Sequence, residues 1–218
     1  MFNKLELLKH MGYVPDTILD IGAHHGHWTN RVKQIFGNSR YYLFEGIDYD
    51  ELKQLLDVSV YNVILNDKVE EINWYQMKNT GDSMFREKTF HFKNCKPIIR
   101  ETIDFDTLMQ GQLDEATNIL IKIDCQGAEI PILKGATSIY SKTDFILLEI
   151  PFFGQYNEGV PNFLEHIQFM DEIGFVPYDI YEAHFINGFN MQVDMMFINK
   201  NHSFNTIVNQ LTMSLGSI

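Results

Sequence analysis

Thiols are scarce in this 218-residue chain, which holds only Cys95 and Cys125. The two form no CxxC pair, and two thiols build neither a disulfide framework nor a four-thiolate zinc site. A reducing compartment is therefore expected. Positive charge is also short. Lys and Arg number 17 against 29 Asp and Glu, a formal charge of −12, and no basic run reaches five residues. Nucleic-acid binding rests on basic patches that neutralise phosphates, so no nucleic-acid partner is expected, and no anionic membrane surface either. No run of eighteen apolar residues is present to span a bilayer. The opening MFNKLELLKHMGYVP lacks the continuous apolar core and small-residue cleavage site of a signal peptide, and a cytoplasmic location is expected. Repeats, low-complexity tracts and Pro/Ser linkers are missing too, so residues 1–218 read as one domain.

What is present is an alternation of short β-rich runs with helix-like segments, the pattern of an α/β domain. Residues 2–11 read as a helix ended by Gly12 and Pro15. Strands are expected at 17–21, 41–44, 58–65, 119–123 and 145–150, with helices at 29–36, 50–56, 128–140 and 162–173. The 128–140 helix is interrupted near Pro131 and Gly135. Residues 101–109 start as a strand and turn into a helix. Residues 175–181 and 193–198 read as a closing antiparallel pair joined by a connection at 183–192, and residues 202–215 as a helical tail. Periodicity is irregular over 71–100, which reads as an insertion or lid over the site.

The segment ILDIGAHHGHWT places a buried strand before a glycine-bearing turn and a helix. Gly22 and Gly26 admit torsions closed to other residues and let the backbone, including Ala23 and His24, approach a ligand. The helix start offers free N–H groups and a positive dipole end, which suit an amino-acid carboxylate or a pyrophosphate alike. Two details separate these ligands. The string DIGAHHG lacks the middle glycine of the dinucleotide pattern GxGxxG. Asp20 also sets a carboxylate beside the turn, which repels phosphate and favours a ligand carrying an ammonium and a sulfonium. One such charge pair at ~4 Å is worth on the order of 4 kcal/mol at an effective dielectric near 20, before desolvation. S-adenosylmethionine fits better than NAD on this count. Glu45 closes the second strand nineteen residues after Gly26, where an acid accepts hydrogen bonds from ribose hydroxyls in either cofactor class.

DIGAHHG, FEG at 44–46, ETIDFD at 101–106, KIDCQGAE at 122–129, LLEI at 147–150 and VDMMF at 193–197 occur in an order and spacing that together resemble the FkbM family of methyltransferases. The resemblance runs over about residues 15–198. It implies the Rossmann-like class I methyltransferase fold, a mostly parallel seven-stranded sheet with an antiparallel last strand and helices on both faces. It implies S-adenosylmethionine as cofactor and O-methylation, often of sugar or natural-product hydroxyls. By the same comparison Asp20, Gly22, Gly26 and Glu45 hold the cofactor, Asn66 and Asp67 fall where a polar group meets adenine, and Ser83 lies in a loop near the site. This chain departs from the family pattern at His24 (commonly Asn), Gly46 (commonly Pro) and Cys125-Gln126 (commonly Val-Glu).

Methyl transfer requires alignment of donor and acceptor, and often a base for the hydroxyl proton. Ligands of open α/β sheets lie at the carboxyl ends of the strands, where Asp124 and Glu149 are expected. Asp124 also reads as a helix N-cap, and the two roles can coexist. If both lie in the strand, Lys122 is expected to point away from Asp124; otherwise it is displaced. His184 and Asp194, in or beside the closing pair, are in reach of an acceptor; Asp124, Glu149 and His184 are the catalytic candidates. No metal is expected: His24, His25 and His27 lack helical zinc spacing, and nothing in the spacing of Asp104, Asp106 and Asp124 demands a divalent ion. Two other readings of the same pattern are an NAD-linked oxidoreductase and a binding module that kept the fold without the chemistry.

Overall fold

Five consecutive buried residues form the strand at the centre of the fold, Thr17–Ile21 (β1). It follows helix α1 (Phe2–His10) and leads into α2 (His27–Ile35). These are seen in a computed structural model that describes residues 1–153 and 156–206. On α2 the buried residues Trp28, Thr29, Val32 and Ile35 recur at helical spacing and lay one face on the sheet. The chain continues through β2 (Arg40–Glu45), a single-turn α3 (Asp50–Lys53) and β3 (Ser59–Asn62). β4 (Leu65–Asn66), β5 (Glu71–Trp74), β6 (Ile98–Glu101), β7 (Ile103–Asp104) and the short α4 (Phe105–Leu108) come next. Then follow β8 (Ile119–Ile123), α5 (Glu129–Lys134), β9 (Thr143–Pro151), α6 (Phe163–Glu172), β10 (Phe175–Ile186) and β11 (Phe189–Asn199).

Seven strands make the main sheet in the order β10-β11-β9-β8-β1-β2-β3. All neighbouring pairs from β9 to β3 are parallel, whereas β11 runs antiparallel to both β9 and β10. This is the α/β class expected, with β11 as the antiparallel strand. Alternation sends Leu19, Ile121, Ile146 and Phe197 into one core, and Ile18, Leu120, Phe145 and Met196 into the other. Each such side chain contributes roughly 1.5–3 kcal/mol by leaving water. Among the described residues, no helix is long and apolar enough to cross a membrane.

Several boundaries differ from those expected. The 58–65 strand divides: β3 ends at Asn62, and Leu65–Asn66 leaves the main sheet to pair in parallel with Ile103–Asp104. The 50–56 helix stops after one turn, and Asp57 takes a left-handed φ of 53°. In the 128–140 segment, α5 ends before Gly135 and a 3₁₀ stretch covers Thr137–Lys142, while Pro131 falls in the first turn, where a missing N–H costs no helical bond. The connection expected at 183–192 is itself strand. β10 and β11 run to a two-residue turn at Asn187-Gly188, both at positive φ (50° and 84°), a pair favoured in type I′ hairpins. Within 71–100, β5 and β6 pair as an antiparallel ribbon and the chain between them folds back over the strand ends. Of the tail at 202–215, residues 203–206 are helical and residues 207–215 lie outside the described residues.

Candidate functional site

The carboxyl ends of β1, β2 and β8 are stitched together by backbone bonds. Gly22 N donates to Phe44 O at 2.9 Å, and Asp124 N to Ile21 O at 3.0 Å. Gly22 sits at φ +76°, and a Cβ there would lie 2.1 Å from the Asp124 carbonyl oxygen, so only glycine lets the two turns meet. Above this junction opens a cavity of about 450 Å³, within the range of small-molecule sites. Its apolar wall includes Phe44, Val63, Leu65, Trp74 and Ile132. Its polar wall includes His24, Glu45, Asp82, Asp124 and Glu149, and no lysine or arginine is among its lining residues.

Glu45 is held by two backbone donors, His24 N to Oε2 at 2.8 Å and Ile47 N to Oε1 at 2.9 Å. Burial raises its pKa, and those two N–H groups oppose the rise. Both oxygens are oriented and keep lone pairs for a ligand. Three buried polar atoms of its wall residues have no protein partner: His24 Nε2, Tyr49 Oη and Trp74 Nε1. Each has almost no accessible surface, so these atoms sit behind the cavity wall and do not face its open space.

Beneath the turn lies a buried ion-pair chain. Lys122 Nζ stands 3.3 Å from Asp20 Oδ1 and 3.4 Å from Asp124 Oδ2, and donates to Gly22 O at 3.0 Å. Strand register sets Asp20 beside Lys122. Burial opposes the lysine charge, but Asp20 and Asp124 outweigh it and hold the ammonium above its ordinary pKa. Asp20 is fully buried and also accepts from Thr29 Oγ1 at 2.6 Å. Its charge is thus taken up by Lys122, and it is not among the lining residues; Glu45, Asp82, Glu87, Asp124 and Glu149 are the carboxylates that line the cavity. The expectation that Lys122 points away from Asp124 is corrected: Asp124 lies one residue past the end of β8, and its carboxylate stands 3.4 Å from the Lys122 ammonium.

Asp124 and Glu149 are joined by Gln126, at a left-handed φ of 52°. Its Nε2 donates to Asp124 Oδ1 at 3.2 Å and to Glu149 Oε2 at 2.6 Å, and Gln192 Nε2 adds a bond to Glu149 Oε2 at 3.1 Å. Burial, then the charges of Asp124 and Asp194, push the Glu149 carboxyl well above its ordinary pKa. Asp194 stands opposite Glu149 in the β11–β9 register, and His184 Nε2 lies 3.3 Å from Asp194 Oδ2. That hydrogen bond raises the His184 pKa.

Of the residues singled out from sequence, Gly22, His24, Glu45, Asp124 and Glu149 line the cavity, while Asp20, Ala23, Gly26, Asn66, Asp67, Ser83 and His184 lie outside its lining. Asn66 is buried and donates to Glu70 Oε1 at 2.9 Å, and Asp67 is exposed. Ser83 Oγ lies within hydrogen-bond reach of the carbonyls of Cys125 and Gln126, pinning the 71–100 segment to the β8 turn. That segment gives the cavity Trp74, Asp82, Met84 and Glu87, among others. Gln126, noted from sequence as a departure from the family pattern, lines it too. Sequence reasoning missed Tyr49, Tyr156 and Gln192, which also line it and carry no local signal.

The family model described as the Methyltransferase FkbM domain matches residues 20–177. Among solved structures, the 1,6-didemethyltoxoflavin N1-methyltransferase of Burkholderia thailandensis, determined with 1,6-didemethyltoxoflavin and S-adenosylhomocysteine bound, is similar in fold. The TM-score is 0.51 at 11% identity, over 92% of this chain and 78% of that one. The methyltransferase FkbM from Methylobacillus flagellatus KT gives a TM-score of 0.50 at 14% identity, over 84% of this chain and 43% of that one. No curated protein matches the sequence. The family match spans well over half the chain and takes in both the glycine turn and the strand-end acids, and so this chain belongs to the FkbM methyltransferase family.

Proposed function

We propose that this chain is an S-adenosylmethionine-dependent O-methyltransferase acting on a hydroxyl of a small molecule, with sugars as the leading acceptor class. The observation that carries the reading is the Glu45 carboxylate, oriented by two backbone N–H groups on the wall of a cavity free of lysine and arginine. A diphosphate would meet carboxylates there and no cation; a nucleoside with a sulfonium and an ammonium meets complementary charge.

The cofactor, when bound, supplies an electrophilic methyl group on sulfur. Glu45 accepts from the ribose hydroxyls, and Gly22 lets the backbone approach. Beside the glycine turn, Asp124 would accept the acceptor's hydroxyl proton as the methyl group passes to the acceptor oxygen. Glu149 would orient that hydroxyl, His184 would support it from outside the cavity lining through Asp194, and Gln126 keeps the two strand-end carboxylates in fixed relation. The segment between β5 and β6 excludes water from one side.

Calorimetry with S-adenosylhomocysteine tests the reading. Saturable one-to-one binding is expected, followed by transfer of labelled methyl to members of a sugar and polyol panel. Absence of heat at millimolar ligand overturns it.

A further inference from the structure

We infer that Glu149, His184 and Asp194 form a divalent-cation site beside the cavity. One ligand atom from each lies within 4.8 Å of the others, close enough for a single ion to draw them together. The three come from β9, β10 and β11, so strand pairing rather than a flexible loop holds them in place. Two carboxylate oxygens and an imidazole nitrogen suit manganese, iron or zinc among common divalent ions.

Charge gives an independent argument. Glu149 stands directly opposite Asp194 in the antiparallel register, which sets two carboxyl groups side by side. Among the described residues no lysine or arginine lies within ion-pair distance of either. The ion-pair partner of Asp194 is His184, and Lys122 is committed to Asp20 and Asp124. The donors to Glu149 are two neutral amides, Gln126 and Gln192, both on Oε2. A third carboxylate, Asp124, adjoins through Gln126. A dication answers that surplus, and it borders the cavity through Glu149, on the acceptor side.

The purpose of the ion rests on the proposed methyl transfer. Coordination to a dication acidifies an oxygen ligand, which makes Asp124 a sufficient proton acceptor for an otherwise weakly acidic alcohol. The binding itself does not rest on that reading and is measured separately.

The full chain is stripped with a chelator and titrated with Mn²⁺, following loss of the free-ion paramagnetic resonance signal and the heat of binding. One saturable ion per chain at sub-millimolar Mn²⁺ is expected. Asp194→Asn and His184→Gln should each weaken it by about tenfold or more, with unchanged circular dichroism as the check on folding. Replacing Mn²⁺ by Co²⁺ should give a visible absorption band that shifts in His184→Gln. Lack of saturable binding at millimolar Mn²⁺, or binding indifferent to both substitutions, overturns the site. Absence of saturable ion binding to the unsubstituted chain, with S-adenosylhomocysteine binding retained, sinks only this inference. Loss of S-adenosylhomocysteine binding sinks the methyltransferase reading and leaves the ion titration standing.

Discussion

Alanine in place of Glu45 removes a carboxylate that accepts one backbone N–H on each oxygen, from His24 and from Ile47. Its free lone pairs are the proposed partners of the two ribose hydroxyls. A hydrogen bond to a charged group contributes about 1.5–3 kcal/mol, so losing two, without full additivity, costs about 3 kcal/mol or more. That is a weakening of roughly 100-fold or greater in the dissociation constant of S-adenosylhomocysteine. Glu45→Gln keeps the shape but turns one oxygen into a donor that faces a backbone N–H, so it should fall between the two. The effect on the unliganded chain runs the other way. Burial disfavours the Glu45 charge, so its removal relieves a desolvation penalty while orphaning two N–H groups, and the melting temperature should move little. Calorimetry and thermal unfolding, measured on the same preparations, separate the two effects. A change in affinity below about threefold in a folded Glu45→Ala chain would refute the assignment.

Lys122→Met leaves the fully buried Asp20 without its cation and should cost about 3–5 kcal/mol in urea unfolding. A loss under about 1 kcal/mol would mean that Asp20 is neutral in the fold. Gly22→Ala places a Cβ 2.1 Å from the Asp124 carbonyl at φ +76°, and should abolish S-adenosylhomocysteine binding even where folded protein is recovered; retained affinity would contradict the junction described. Glu129 is fully buried, and burial pushes its pKa from 4.5 to about 7. The folded state therefore keeps a proton that the unfolded state releases, so stability falls as pH rises from 4.5 to about 7, by up to about 3 kcal/mol from this group. Unfolding free energies at pH 5 and pH 8 should show the fall, and Glu129→Gln should flatten it; an unchanged slope refutes the attribution. Asn162→Ala breaks a capping box with Glu165 at the start of α6 and should cost about 1 kcal/mol, measurable as a shift in urea midpoint.

The central half of the fold was legible because its strands are buried on both faces and read as unbroken apolar runs, TILDI and ILIKI above all. The turn after β1 was equally plain, since glycine is needed there for a steric reason. Asn187-Gly188 was a legible signal too, and reading the surrounding segment as a connection overlooked the Asn-Gly preference of two-residue hairpins. The exit of Leu65–Asn66 toward β7 was not legible, because a two-residue parallel pairing leaves no periodicity. Asp20 shows the other limit. A carboxylate beside a glycine turn reads as ligand-facing until the register reveals Lys122 next to it. The grouping of Glu149, His184 and Asp194 depends on pairing across three strands, which no linear spacing encodes.

The β1, β2 and β8 turns build one end of the cavity, whereas β9 and the β10–β11 hairpin carry the acids and imidazole at the other. The two ends are joined by the β8–β9 pairing, which runs up to Ile123 and Leu148, and by Gln126 with its bonds to Asp124 and Glu149. On the proposed reading, the donor is held chiefly at the first end and the acceptor faces the second. Remodelling the hairpin would then retarget the chain while leaving the proposed nucleoside contacts at Glu45 and Gly22 in place, a division of labour that makes the fold a convenient chassis for new acceptors.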